Sequence, residues 1–470
     1  MGAERNGLSS PRRPGGGEEA RTFAALFGAL LGLSLLKFGN PAILEKLVTW
    51  PDNFYGWMIA GWPLAIGYGL LGAVAVAGLV VADWKISAPK WLLAMPLAWL
   101  GWQFLAAAGT VSAPLSRAAL AQFSACGACF YLGYFSLGRV REHRPFWLGV
   151  LGAFIVVLVV GLQQHFGGLA ETRRYFWAYI YPQLKSVPPE YLKKMSSNRI
   201  FSTLFYPNTL AGALLLLLPP ALAVFGNNRR WPVATRWLVA GVVGAAGLAC
   251  LYWSGSKGGW LLMLVLGGVA LLRLPFSRRL KILLTGAALI FGLAAFAVKY
   301  SAYFEKGATS VVARLDCWRA ALQTVERSSL LGSGPGTFGV IYERIKRPEA
   351  EMARLTHNDY LEQASDSGLP GFFAYLIFIA GSLIWAGRKL AATRNPETFC
   401  LWLGLLGWSL QETFEFGLYI PAVAWTAFAL LGWLVRQAGD LQDRETSANR
   451  RIHGAGHASS SVAPSHGSSG

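Results

Sequence analysis

Charge is scarce in this chain. Of its 470 residues only 14% are Asp, Glu, Lys or Arg, while 54% are hydrophobic and gathered in runs long enough to cross a hydrocarbon core of about 30 Å. This excludes a soluble globule and points to an integral membrane protein. Histidine (6) and cysteine (5) are scarcer still, and the histidines show no metal-ligand spacing, so no metal and no other cofactor is expected. Cys126 and Cys129 form a C-x-x-C inside an apolar run, where small residues serve helix packing rather than redox chemistry. Cys317 falls in an outside loop and Cys250 near the outer end of a span, and a bridge between them is left open. A soluble basic domain and any nucleic-acid-binding module are also missing, so nucleic acid is not an expected partner despite the formal charge of +18. No clear cleavage site follows the first apolar run, which is expected to stay as an anchor.

What is present is a series of apolar runs near 22–38, 56–82, 91–110, 117–137, 146–164, 207–226, 232–253, 257–275, 280–299, 369–387, 397–411 and 417–436. They predict an all-α polytopic membrane protein of about twelve transmembrane helices, with a large, partly helical outside loop between the ninth and tenth spans. The second run reads as one long tilted helix or as two, broken around Pro63 and Gly67. Residues 1–21 are expected to be a disordered inside terminus, 22–437 the membrane domain with outside loops at about 165–206 and 300–368, and 438–470 a disordered Ser/Gly/His-rich inside tail. With both termini inside, every inside loop is basic: Lys85 and Lys90; Arg139, Arg141 and Arg144; Arg229, Arg230 and Arg236; Arg273, Arg278, Arg279 and Lys281; Arg388, Lys389 and Arg394. The short outside loops are nearly free of Lys and Arg, as the positive-inside rule requires.

The loop at 165–206 departs from that rule. It carries Arg173, Arg174, Lys185, Lys193, Lys194 and Arg199 against only Glu171 and Glu190, beside Tyr175, Phe176, Trp177, Tyr179 and Tyr181. Either it serves an anionic ligand, or long loops simply tolerate such charge while the aromatics form an interfacial belt.

Polar chemistry concentrates at Thr356-His357-Asn358-Asp359-Tyr360. Thr356 and Asp359 have the spacing of a helix N-cap followed by an acid in the first turn, Gly368 can end that helix, and Leu369-Pro370-Gly371 opens a new apolar run. His357 would then sit at a helix mouth, the one histidine embedded in a polar cluster; His143 belongs to a basic inside loop, His165 to a span end, and His453, His457 and His466 to the tail. Three further polar segments share that outer face. Arg199 to Asn208 leads into a helix opened by Pro207 and Asn208. Ser254 to Gly259 places Lys257 between small residues that would let a bulky ligand approach the backbone, although a snorkelling interfacial lysine accounts for it equally. Arg314 and Trp318 are one helical turn apart, ahead of the glycine turn Leu331 to Gly336, which lacks a P-loop lysine and is no nucleotide site.

Taken in order, Arg199 with Pro207 and Asn208, Ser254-x-Ser256-Lys257-Gly258, Arg314-x-x-x-Trp318, Gly334-x-Gly336 and His357 to Tyr360 resemble the O-antigen ligase family, the O-antigen ligase/polymerase-like membrane glycosyltransferases, over about Arg199 to Pro421. Two departures stand out. Lys257 replaces the usual arginine, keeping charge but losing the planar fork, and Gln411 to Phe416 replaces an H-x-x-x-D-F-like element, with Glu415 where the family has aspartate.

The resemblance implies a metal-independent enzyme of the bacterial inner membrane, with its active site on the periplasmic face. It would join a glycan carried on undecaprenyl diphosphate to an acceptor such as lipid A-core. Arg199, Arg314, Lys257 and Asn208 would bind the donor diphosphate, with His357, Asn358 and Asp359 catalytic and Trp318, Gly334, Gly336 and Glu415 supporting. The same motifs suit a polymerase of O-antigen or exopolysaccharide, or a protein O-oligosaccharyltransferase. Outside that class, a lipid or polysaccharide transporter would account for the spans and basic loops, and a non-catalytic scaffold meeting membrane lipids would account for the basic outer loop.

Overall fold

The computed structural model of the chain describes residues 16–184, 192, 196–305, 309–391 and 395–459, and every regular element in them is helical. Lys185, Glu190, Lys193, Lys194, Arg394 and His466, which the sequence reading singled out, lie outside the described residues.

Helices α1 (Gly16–Lys37), α2 (Phe54–Ile59), α3 (Leu64–Val81), α4 (Lys90–Ala107), α5 (Ala113–Tyr131) and α6 (Arg144–Gln163) form the first half. After α7 (Leu169–Tyr175) and an irregular loop come α8 (Pro207–Gly226), α9 (Val233–Ser254), α10 (Lys257–Arg273) and α11 (Arg278–Glu305). The polar segment holds α12 (Thr309–Arg327) and α13 (Phe338–Ile345), and α14 (Asp359–Leu390), α15 (Pro396–Gln411) and α16 (Pro421–Ser459) close the bundle.

Eight of the described helices are long and apolar enough to cross a membrane. The chain is a multi-pass membrane protein. Helices α4, α10, α15 and α16 occupy four of the other expected spans without meeting that criterion; α10 and α15 have only 17 and 16 residues. The side chains of α11 support a lipid-facing role, since none of its span window is buried and Leu283, Ile290, Phe291 and Val298 are exposed.

The core runs along α16, where Ala422 to Val435 are buried and Trp425 packs beside Phe38 and Tyr68. Helices in lipid gain nothing from hydrophobic burial against one another, so close backbone approach carries the packing. Gly28 and Gly32 supply it between α1 and α6. A methyl built on Gly28 would stand 2.3 Å from the Phe146 carbonyl oxygen, and one on Gly32 2.4 Å from that of Gly149.

Several boundaries differ from the sequence reading. The 56–82 run is broken between Ile59 and Leu64, with Pro63 as the residue before α3. Lys37 Nζ stabilises the break by donating to the Trp57 and Met58 carbonyls at 2.9 and 2.5 Å. Helix α1 already begins at Gly16, where Glu18 and Glu19 complement the dipole. Helix α11 continues to Glu305 because neither proline nor glycine interrupts it after Gly292. At the other end α16 stays helical through Ser459, well past residue 437, in a stretch that begins with good helix formers such as Leu441, Gln442 and Arg444.

Candidate active site

Glu415 is the node of the polar cluster. It follows α15 in the loop to α16, is 6% exposed, and accepts from Arg314 Nη2 at 2.5 Å and Asn208 Nδ2 at 2.6 Å on the same oxygen, Oε1. Its other oxygen, Oε2, lies 3.8 Å from His357 Nδ1. Burial raises the Glu415 carboxyl, but Arg314 and then His357 outweigh it and hold the group below the usual carboxylate range.

Each partner is fixed by its own element. Arg314 sits on α12 and spans from the Ser310 carbonyl (3.1 Å) to that of Phe414 (3.0 Å). Arg199 reaches beneath the end of α9, where Nε donates to the Ser254 carbonyl at 2.6 Å and Nη2 to Asn208 Oδ1 at 2.7 Å. Gly255, at φ +63°, makes room for it, since a methyl there would lie 3.1 Å from Arg199 Nε. Burial lowers the Arg199 pKa, against the opposing pull of Glu415. Asn208 stands in the first turn of α8, and Gln411 holds its carbonyl at 2.7 Å.

His357 occupies the left-handed region at φ +53°, an uncommon conformation for a residue with a β-carbon. Its side chain is 32% exposed, more open than those of Arg314 and Glu415, and its ring meets Phe416 edge-on at 4.9 Å. The helix mouth forms as the sequence suggests, but the cap is Asn358 rather than Thr356: Asn358 Oδ1 accepts from Leu361 N at 3.0 Å. Thr356 is instead pinned from within α14, with Glu362 Oε2 accepting from its amide at 2.9 Å. Gly368, expected to end the helix, kinks it at φ +70° and α14 continues.

Asp359 belongs to the interior. It is fully buried, its Oδ2 accepts from Leu418 N at 2.8 Å, and its amide donates to the Glu412 carbonyl at 2.9 Å. The glycine turn is also structural in its contacts: the amides of Gly336 and Thr337 donate to Asp366 Oδ2 at 2.7 and 3.2 Å. Trp318, one turn along α12 from Arg314, packs with Cys317, Ala321, Phe338 and Tyr342. All five cysteines, including Cys250 and Cys317, are free thiols.

Lys257 opens α10 after the cap made by Ser256, whose Oγ accepts from Gly259 N at 3.3 Å. Its ammonium lies over the rings of Tyr303 (3.8 Å) and Tyr300 (5.1 Å), near enough to Arg199 and Arg314 to feel their charge. The open backbone expected beside it is not there. A methyl on Gly258 would stand 2.2 Å from the Phe414 ring, so that glycine admits a side chain of the 412–420 loop instead of a ligand.

The structure therefore brings together Arg199, Asn208, Arg314, His357 and Glu415, sets Lys257 behind a tyrosine pair, and places Asn358, Asp359, Trp318, Gly334 and Gly336 in the support. Sequence reasoning missed the buried acids beneath, Glu362, Asp366 and Glu412. A helical stripe of carboxylates at 359, 362 and 366 in so apolar a chain was the signal that could have found the first two. The basic outer loop is partly internal in its use, since Arg173 donates to Asn198 Oδ1 at 3.0 Å.

Comparison with known proteins bears on this arrangement. A Haemophilus influenzae protein of uncharacterized function is 30% identical over 173 residues, covering 32% of this chain, and the chain spans 43% of that relative's length. The O-antigen ligase family model matches residues 240–376, which contain Lys257, Arg314, the glycine turn and the His357 mouth but neither Arg199, Asn208 nor Glu415. Residues 240–376 are thus similar to the O-antigen ligase family.

Proposed function

We propose that the chain transfers a glycan from an undecaprenyl-diphosphate carrier to an acceptor hydroxyl at the periplasmic face of the bacterial inner membrane, as in O-antigen ligation to lipid A-core. The observation that supports this best is the meeting of two guanidinium groups and an imidazole around one buried carboxylate. Arg314 and Arg199 supply charge-assisted donors for the diphosphate, with Lys257 adding cationic field from behind its tyrosines. Glu415 holds Arg314 and Asn208 in place before any ligand arrives, so the cluster needs little reorganisation at the moment of reaction.

A carboxylate near Nδ1 favours the His357 tautomer that carries its proton there, leaving Nε2 to act as base. The acceptor oxygen attacks the anomeric carbon as its proton passes to Nε2. The bond from that carbon to the diphosphate oxygen breaks, and the electron pair leaves on the diphosphate, where the arginines stabilise it. Fixed cations do this work in the proposed reaction, and no metal ion takes part.

The test is transfer from purified undecaprenyl-diphosphate-linked glycan to lipid A-core in proteoliposomes containing EDTA, with native chain beside His357→Ala. Product from the native chain alone supports the reading. Product from both removes His357 from the mechanism, and failure of both directs the same assay to polymer and protein acceptors.

A further inference from the structure

A second polar site lies at the opposite end of the bundle. Helix α8 runs from Asn208 at the candidate active site to Gly226 at the other end, which at 1.5 Å per residue separates the two by about 30 Å. There the α5–α6 turn, the α8–α9 turn, the start of α15 and the middle of α16 enclose a cavity of about 1070 Å³.

Its mouth is basic. Arg139, Arg141, Arg144, Arg229 and Arg230 line it against three acids, Glu142, Glu397 and Asp440. Those acids are already engaged: Glu142 lies between Arg230 (3.6 Å) and Arg21 (3.9 Å), Asp440 accepts from Arg436 at 3.1 Å, and Glu397 bonds Asn227. Arg139 is engaged too, donating to the Val81 carbonyl at 3.0 Å. Arg141, Arg144 and Arg229 are exposed and make no ion pair or side-chain hydrogen bond with another described residue.

Below the mouth the walls turn apolar. Trp147, Leu151 and Ile155 present one face of α6, opposite Val224 and Phe225 of α8. His143 joins that wall, its ring tilted against that of Trp433 at 4.5 Å, and burial lowers its pKa to about 4, so it adds no charge near neutrality. Gly152 leaves a gap in the wall: a methyl built there meets nothing within 4 Å.

A ring of uncommitted guanidinium groups above an apolar slot, at the end of a helix bundle, matches an amphipathic anion whose charge stays at the membrane boundary while its chain enters the slot. We propose that this cavity binds an anionic phospholipid, with Arg141, Arg144 and Arg229 holding the phosphate and the α6 and α8 faces receiving the start of an acyl chain. Residues 1–15 are a poor alternative occupant, because their Arg5, Arg12 and Arg13 would repel the mouth.

The test uses the purified full chain in phosphatidylcholine nanodiscs carrying a trace of labelled phosphatidylglycerol, and measures retention of the label. The triple variant Arg141→Gln, Arg144→Gln, Arg229→Gln should weaken retention on the order of tenfold to hundredfold. Gly152→Phe should weaken it as well. That variant keeps every arginine and adds its ring to open space, so it remains informative if the triple variant does not fold. Unchanged retention in Gly152→Phe would overturn the proposal. So would displacement of the lipid by glycerol phosphate at concentrations where neutral lipid has no effect, which would make the cavity a site for free phosphate.

Discussion

Arg314 Nη2 and Asn208 Nδ2 converge on a single oxygen, Glu415 Oε1, although their positions are over a hundred residues apart in sequence. One buried carboxylate thereby joins α8, α12 and the loop before α16. Removing one member of such a pair leaves the other charge buried without compensation, at a cost of about 3–5 kcal/mol.

Glu415→Gln should therefore lower the thermal midpoint of the purified chain and reduce transfer by more than tenfold. Glu415→Asp should recover part of both, since it restores the charge one methylene further back. Equal activity in native chain and Glu415→Gln, in the proteoliposome transfer assay, would separate the node from the chemistry.

His357 combines exposure with backbone strain. A left-handed conformation costs an L-residue about 1–2 kcal/mol, which glycine avoids. His357→Gly should raise the melting temperature while abolishing transfer, whereas His357→Ala should lose transfer without that gain. A loss of about 10²–10⁴ in kcat, with the donor KM little changed, is the expectation for a general base.

Much of this was legible in the sequence, and the reasons for the rest are physical. Apolar runs marked the helices because crossing hydrocarbon demands internal hydrogen bonding over a fixed length. Arg314 and His357 stood out because titratable groups are rare here, and Asn208 because with Pro207 it opens a helix. What the pattern could not give was depth. Asp359 looked like part of the mouth, yet its place in the first turn of α14 turns its carboxylate toward Leu418. Lys257 looked open between small residues, yet Phe414 fills the space over Gly258 from far along the chain. Glu412 had no local signature, because its environment is assembled from α14 and the loop after α15.

Glu412 supplies a pH dependence. Burial first of all pushes its carboxyl up to about 7 from 4.5, with Glu415 adding repulsion against the bonds from Asp359 and Gly417. Between those values the folded chain holds a proton that the unfolded chain has released, so stability falls as pH rises from about 4.5 to 7. Glu415 has the opposite sign: its depressed pKa gives stability above the ordinary carboxylate value that is lost as pH falls through the folded one. Glu412→Gln should flatten the decline between about pH 4.5 and 7 in thermal melts while leaving the acid limb in place, and an unaltered decline would assign it to another group.

Gly368 ties the polar segment to the membrane bundle. At φ +70° it kinks α14, and the Leu369 amide beyond it donates to the Ser329 carbonyl at 2.8 Å. A methyl at Gly368 would stand 2.0 Å from the Leu330 carbonyl oxygen, a backbone atom that no side-chain rotation can move aside. Gly368→Ala therefore adds a steric clash of about 1–3 kcal/mol to the left-handed penalty of about 1–2 kcal/mol. The substitution lies more than a turn of helix beyond His357 and removes no proposed catalytic group. Transfer should nonetheless fall together with the melting temperature, because displacing the Ser329–Leu330 turn shifts α12 and with it Arg314. Lowered stability with unchanged kcat and donor KM, measured below the melting transition, would show that Arg314 is positioned by Glu415 and its own helix alone.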